Sequence, residues 1–267
     1  MSDVAESGFG TLFGVYGDVR ASLRDDGVAS VELCRPPDNY FDRELIASLA
    51  DALDALDAEP RARVSVLRSQ GKHFCAGANF GGRNPLDTTG RHLYDEALRV
   101  FSCRKPVVAA VQGAAIGGGL GVALAADFRI ATPESRFSAN FARLAFHPGF
   151  AISVTLPAVV GQQRALELLY TGRRVGGEEA LRIGLCDALV PMDQLVPRAH
   201  AFAREIALSG PLAVESIRVT QRGDLAERAR IAMVRERAEQ ERLQRSSDFK
   251  EGIAAMAARR EPRFTRS

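Results

Sequence analysis

The sequence predicts an α/β fold, with a sheet-and-helix core over residues 1–195 and a helical region over 196–267. Three observations lead there. Short strand-like runs alternate with stretches of helical periodicity, the punctuation of βα units around a sheet. Some of those runs are apolar without a break, as strands covered on both faces are. From about Glu178 onward the pattern is mostly helical, with no repeat and no low-complexity linker.

Taken in order, Val28 to Leu33 (VASVEL) reads as a strand, and Asp42 to Leu56 carries apolar residues at helical spacing. Val64 to Leu67 returns as a strand. Pro106 to Val111 (PVVAAV) is a buried strand by its unbroken apolar run. LGVALAAD, after the glycines at 117–119, is apolar all round and predicts a helix buried on every side. Phe128 to Ala131 is a further short strand; EEALRIGL, LVPRAHAFAREIA and the charged stretch Leu225 to Gln244 are helical.

The composition is that of a globular protein of 267 residues, 46% hydrophobic and 25% charged. A net charge of +2, from 35 basic and 33 acidic residues, gives no electrostatic argument for nucleic acid or an anionic membrane as partner. Cys34, Cys75, Cys103 and Cys186 have neither metal-ligand spacing nor the density of a disulfide scaffold, so reduced thiols and no metal are expected. The start MSDVAESGFG lacks the basic and apolar blocks of a signal peptide, and no run of about 18 apolar residues occurs. The expectation is a soluble, cytoplasmic protein.

Glycine marks the chemistry. In GAAIGGGLG (113–121), three consecutive glycines lie between a strand and a helix, so backbone can approach a ligand with no Cβ in the way. The N–H groups at that helix start favour developing negative charge. A dinucleotide fingerprint is excluded because Val122 stands where its third glycine belongs, and a P-loop because no lysine follows. A tight turn needed only for packing is the plain alternative. A second motif, GKHFCAGANF (71–80), places small Ala76, Gly77 and Ala78 about one βα unit earlier. Two N–H donors from different loops are what a thioester oxyanion needs, each worth about 10² to 10³ in rate when preorganised.

These two segments, with LYTGRRVGGEEALRIGLCDALV and the ending DFKEGIAAMAARREPRF, resemble the crotonase (enoyl-CoA hydratase/isomerase) superfamily over nearly the whole chain. The resemblance implies a spiral of repeated ββα units with a helical C-terminal region that builds a homotrimer or a dimer of trimers. It implies an acyl-CoA substrate, with CoA as part of that substrate and no separate cofactor. It assigns the oxyanion-hole N–H groups to Ala78 and Gly118, beside Gly117. Ala76, Gly77, Asn79 and Phe80 would wrap the CoA moiety, and Phe264 with Arg259, Arg260 or Arg263 would touch it, a solvated tail being the alternative.

Departures from that pattern bear on the reaction. Hydratases of this superfamily carry one glutamate two residues after the third glycine and another beyond the next strand; here those positions are Gly121 and Phe141. Neither residue can exchange a proton. Asp127 and Glu134 read as structural. Tyr94 stands where the 4-chlorobenzoyl-CoA dehalogenase branch places its histidine base, although that branch's nucleophilic aspartate corresponds to Gly149. His147, on the loop after Phe141, is an acid or base by residue type, or a loop histidine bonded to backbone. His92, Asp95 and Cys75 are weaker candidates. Phe141, Phe146 and Phe150 crowd one loop and suggest an apolar acyl pocket with Gly121 on its wall.

Three functions fit. The first is an enoyl-CoA hydratase/isomerase-like enzyme working through an enolate, with proton transfer by Tyr94 or His147. The second is a divergent crotonase, such as an acyl-CoA decarboxylase or a C–C or thioester hydrolase. The third is a non-catalytic acyl-CoA-binding scaffold.

Overall fold

The computed structural model describes residues 9–78 and 91–267. An antiparallel meander of β1 (Thr11–Tyr16), β2 (Val19–Leu23) and β3 (Val28–Leu33) opens the chain. Helix α1 (Arg43–Ala58) then crosses to β4 (Val64–Ser69), parallel to β3. Asp42 starts that helix as its N-cap, accepting from the Leu45 amide at 3.0 Å. Helix α2 (Leu93–Phe101) leads to β5 (Val107–Val111), parallel to β4. β6 (Ala114–Ile116) and α3 (Gly118–Ala125) precede β7 (Phe128–Ala131), which pairs with β5.

Next come β8 (Arg136–Ser138), a 3-10 turn at Asn140–Leu144, α4 (Ile152–Val160) and α5 (Gln162–Thr171). β9 (Val175–Gly176), α6 (Gly177–Arg182) and β10 (Ala188–Leu189) follow, then α7 (Met192–Ala207), α8 (Pro211–Arg222), α9 (Leu225–Leu243) and α10 (Ser247–Ala257). Among the described residues the strands form two sheets, ordered β1-β2-β3-β4-β5-β7-β10 and β6-β8-β9.

Strand alternation gives the large sheet two buried faces. Val108 and Ala110 of β5, with Val28, Val64, Val66 and Ile130, meet the stripe Leu195, Ala199, Ala203 and Ala207 of α7. Ala109 and Val111, with Val31, Leu33 and Leu67, face the main core, where α1 lays Leu45, Leu49, Leu53 and Leu56. Covering both faces explains why β5 reads as an unbroken apolar run. Helix α3 sits inside the main core, with all eight residues buried.

The C-terminal helices are held differently. α8 buries no residue, and its Arg218 and Arg222 pair instead with Asp127 just after α3. Asp127 also accepts the Val107 amide at 2.8 Å. α9 meets the core through one stripe, Ala229, Met233 and Glu236. Among the described residues no helix is long and apolar enough to cross a membrane.

Candidate active site

The glycine run is glycine for three separate steric reasons. Gly117 joins β6 to α3 at φ 55° and ψ −124°, a conformation open to glycine. A Cβ on Gly118 would lie 2.3 Å from Cζ of Phe41, and one on Gly119 2.2 Å from the Cys75 carbonyl oxygen. Packing therefore accounts for the residue type at 118 and 119, and the chemistry lies in what that packing exposes. The Gly117 amide donates to Ser138 O at 2.8 Å, and the amides of Leu120 and Gly121 turn back to Gly117 O. Among the described residues the Gly118 and Gly119 amides, at the start of α3, have no acceptor.

The second motif lies alongside. Cys75 bridges Ala115 in parallel, its amide donating to Ala114 O at 3.0 Å and its carbonyl accepting from Ile116 N at 3.1 Å. Phe41 ties Ala78 to the glycine run: it bridges Ala78 in parallel, and its ring lies against the Gly118 Cα, where a Cβ would meet Cζ at 2.3 Å. Gly77 is left-handed at φ +121°, where its missing Cβ would sit 3.2 Å from Ile116 O. Its carbonyl accepts the Phe41 amide at 3.0 Å, and the Ala76 amide donates to Asp38 O at 2.9 Å. Ala78 itself has no acceptor among the described residues. Asn79 and Phe80 lie outside the described residues.

Aromatic rings wall the other side. Cζ of Phe141 is 3.9 Å from where a Gly117 Cβ would be. Phe150 stands directly over Gly121, its own Cβ 2.7 Å from the position of a Gly121 Cβ. The Phe150 ring packs edge-on to Phe41, centroids 5.7 Å apart, and lies 5.8 Å from Phe101. Phe146 packs outward, against Phe249 of α10.

The titratable candidates are tied into structure. Tyr94 on α2 is buried, and its hydroxyl donates to Oε1 of Gln240 at 2.7 Å. Burial, with Glu236 nearby, pushes its pKa far above the ordinary phenol value. His147 is half-buried, with Nδ1 2.8 Å from Pro148 O, and its own carbonyl accepts from Gln240 Nε2 at 3.0 Å. His92 is the N-cap of α2, taking the Tyr94 amide on Nδ1, and Asp95 closes the reciprocal bond. Burial pushes the Cys75 thiol up to about 12, which leaves it unreactive. Gly149 touches the Tyr94 hydroxyl: a Cβ there would be 2.1 Å from it. Glu134 is exposed.

The tail is hooked back onto α10. Arg260 pairs with Glu251, the Arg263 amide donates to Glu251, and the amides of Thr265 and Arg266 donate to Asp248. Phe264 is left 42% exposed, well away from full burial.

One buried carboxylate escaped the sequence reading. Glu236 of α9 is 1% exposed and accepts from the Ala151 amide at 2.9 Å, the Ser153 amide at 3.2 Å and Ser153 Oγ at 2.5 Å. Burial pushes its carboxyl up, and the three donors pull it back. Its signal is spacing: positions 229, 233, 236 and 240 form one helical stripe, where a glutamate is out of place.

Residues 24–267 match the enoyl-CoA hydratase/isomerase family. The chain belongs to this family. Within it, the chain is 32% identical over 253 residues to the probable enoyl-CoA hydratase 2, mitochondrial, of Arabidopsis thaliana, covering 92% of this chain and 84% of that protein. A putative enoyl-CoA hydratase of Thermus thermophilus is 34% identical over 241 residues, 85% of this chain and 92% of that one. The crystal structure of an enoyl-CoA hydratase/isomerase from Pseudoalteromonas atlantica superposes with a TM-score of 0.85 at 33% identity, covering 93% of this chain and all of that one (100%). The fold is the crotonase fold that the resemblance implies.

Proposed function

We propose that this family member processes acyl-CoA thioesters by holding the carbonyl oxygen between the amides of Ala78 and Gly118 and stabilising the enolate that forms. The observation that supports this most directly is that two amides without acceptors among the described residues, Ala78 and Gly118, both lie beside Phe41, next to the Cys75–Ala115 bridge, with Gly118 at the start of a buried helix. CoA is part of the substrate, and no further cofactor enters the proposal.

Gly121 and Phe141 supply no carboxylate, and the wall of Phe41, Phe141 and Phe150 is aromatic. The ordinary glutamate pair is therefore outside the proposal. Tyr94 and His147 are the proposed proton-transfer groups; burial keeps Tyr94 protonated, which excludes it as the base and leaves it the role of a weak acid. The aromatic wall also suits decarboxylation, since it disfavours a buried carboxylate in the ground state.

The exposed apolar side chains Leu212, Ile217 and Val219 of α8 and Ile231 and Val234 of α9 fit a homotrimer or dimer of trimers built by the C-terminal region. Free cysteines fit a reducing, cytoplasmic setting.

Turnover of enoyl-, β-keto- and malonyl-type CoA thioesters, followed by mass spectrometry, tests the proposal. Ala78→Pro removes one amide and keeps a carbon where the Ala78 side chain stands, so kcat is expected to fall about 10² to 10³-fold while acyl-CoA affinity holds. No turnover on any class, or an Ala78→Pro variant as fast as the native chain, overturns it.

A further inference from the structure

Phe150 and Ala151, at φ 59° and 56°, are consecutive non-glycine residues in the left-handed region. Such a corner persists only where its surroundings over-determine it. The Ala151 carbonyl is held within α4, by the Val154 and Thr155 amides and Thr155 Oγ1, whereas the amide side of the corner leads to helix α9. The Ala151 amide and both Ser153 donors end on Glu236. The Tyr94 hydroxyl, against Gly149, donates to Gln240, and Gln240 in turn donates to the His147 carbonyl, so the chain on either side of Phe150 is tied to α9. Glu236, buried, and Gln240, half-buried, are about one helical turn apart on α9.

What the corner aims is the Phe150 side chain. Its Cβ, Cγ and Cδ1 lie 2.7 to 3.0 Å from the position of a Gly121 Cβ. Gly121 is three residues along α3 from Gly118, about 4.5 Å of helix rise from the proposed oxyanion amide. That is the reach of a short acyl chain. The ring is 1% exposed and closed in by Phe41 and Phe101.

We propose that Glu236 and Gln240 are positioning residues: through the Phe150–Ala151 corner they hold the Phe150 ring over Gly121 as the end wall of the acyl pocket, and so select short acyl groups. This rests on the acyl-CoA reading above. It gives the charged C-terminal helix a part in substrate choice, with no contact to the thioester itself. The wall is set by the corner's backbone as well as by the ring, so loosening the corner and trimming the ring have the same consequence for chain length.

The test is the affinity of the full chain for CoA, butyryl-CoA and octanoyl-CoA by calorimetry, in the native protein and in Phe150→Ala, Glu236→Gln and Gln240→Ala. Phe150→Ala is expected to shift the octanoyl-to-butyryl preference about tenfold toward octanoyl, the gain from burying two further methylenes. Glu236→Gln and Gln240→Ala should shift it in the same direction, with the affinity for CoA itself unchanged. A merely structural role would weaken all three ligands in parallel, and that result, or an unchanged preference, overturns the proposal. If Glu236→Gln does not fold, Phe150→Ala and Gln240→Ala decide. A native chain that binds no CoA thioester overturns the acyl-CoA reading and this inference together; thioester binding with an unmoved preference overturns this inference alone.

Discussion

Replacing Gly121 by alanine tests whether Phe150 and the glycine are fitted to each other. Within a helix, Gly→Ala ordinarily stabilises by about 1 kcal/mol, because glycine loses more backbone freedom on folding. Gly121 lies in α3, so propensity alone predicts a gain. The new methyl would stand 2.7 Å from Phe150 Cβ and 3.0 Å from Cγ and Cδ1, against about 3.5 to 4.0 Å for a relaxed carbon contact. Phe150 Cβ cannot swing aside, because it is fixed to a corner held through the Ala151 amide by Glu236, and its ring is closed in by Phe41 and Phe101. Overpacking of this kind costs about 1 to 3 kcal/mol, so the net effect should be a loss of roughly 0 to 2 kcal/mol. In a Phe150→Gly background the obstructing carbon is gone and φ 59° suits the new residue, so Gly121→Ala should stabilise by about 1 kcal/mol. The sign reverses. Urea unfolding of the four proteins at one protein concentration measures it. Equal effects in the two backgrounds, within about 0.5 kcal/mol, would refute the steric account. The same geometry bears on why no glutamate stands at 121: the space such a side chain needs is filled by Phe150.

Two further expectations concern groups away from the glycines. Burial pushes the Cys103 and Cys186 thiols up to about 11 and Cys75 to about 12, whereas Cys34 is only half-buried. Iodoacetamide at about pH 8 should therefore add first at Cys34, and at the other three only after denaturation; a prompt second adduct by intact mass would contradict this. His200 on α7 has both ring nitrogens buried without a hydrogen-bond partner among the described residues, and burial, with Arg24 and Arg68 nearby, pushes it from 6.5 down to about 4. As pH falls through that interval the unfolded chain takes up a proton that the folded chain refuses, so stability is present above about 6.5 and is lost toward about 4. The full loss is about 3 kcal/mol, and a His200→Leu variant whose unfolding free energy falls just as steeply over that interval would rule it out.

What the sequence made legible, and what it hid, divides by the range of the interactions. Strand β3 falls at Val28–Leu33 as VASVEL predicts, and β5 begins at Val107 because Pro106 has no amide to donate. Helix α1 follows Asp42, which is its cap instead of its first residue. The helix expected from Leu120 starts at Gly118, since the glycines themselves make the first turn. β6, β8 and β9 are two or three residues long and carry no period of their own; they exist because the chain around them brings partners into register. The proposed backbone half of the site rests on a local signal, as the strands do: small residues at fixed offsets in two nearby segments. The side-chain half was not. Glu236 takes its donors from residues 83 and 85 positions earlier, and Tyr94 meets a glutamine 146 positions later. A stretch such as ERAEQER gives no hint of which charge turns inward, because polarity there is nearly uniform around the helix. The distinction comes from the other side of the contact, where the left-handed corner and the start of α4 turn the Ala151 and Ser153 amides toward α9, and no strand or helix bond satisfies them. A buried carboxylate at that point is what the corner requires. Its position on an otherwise solvated helix follows from Phe150 and Ala151 more than from anything in α9 itself.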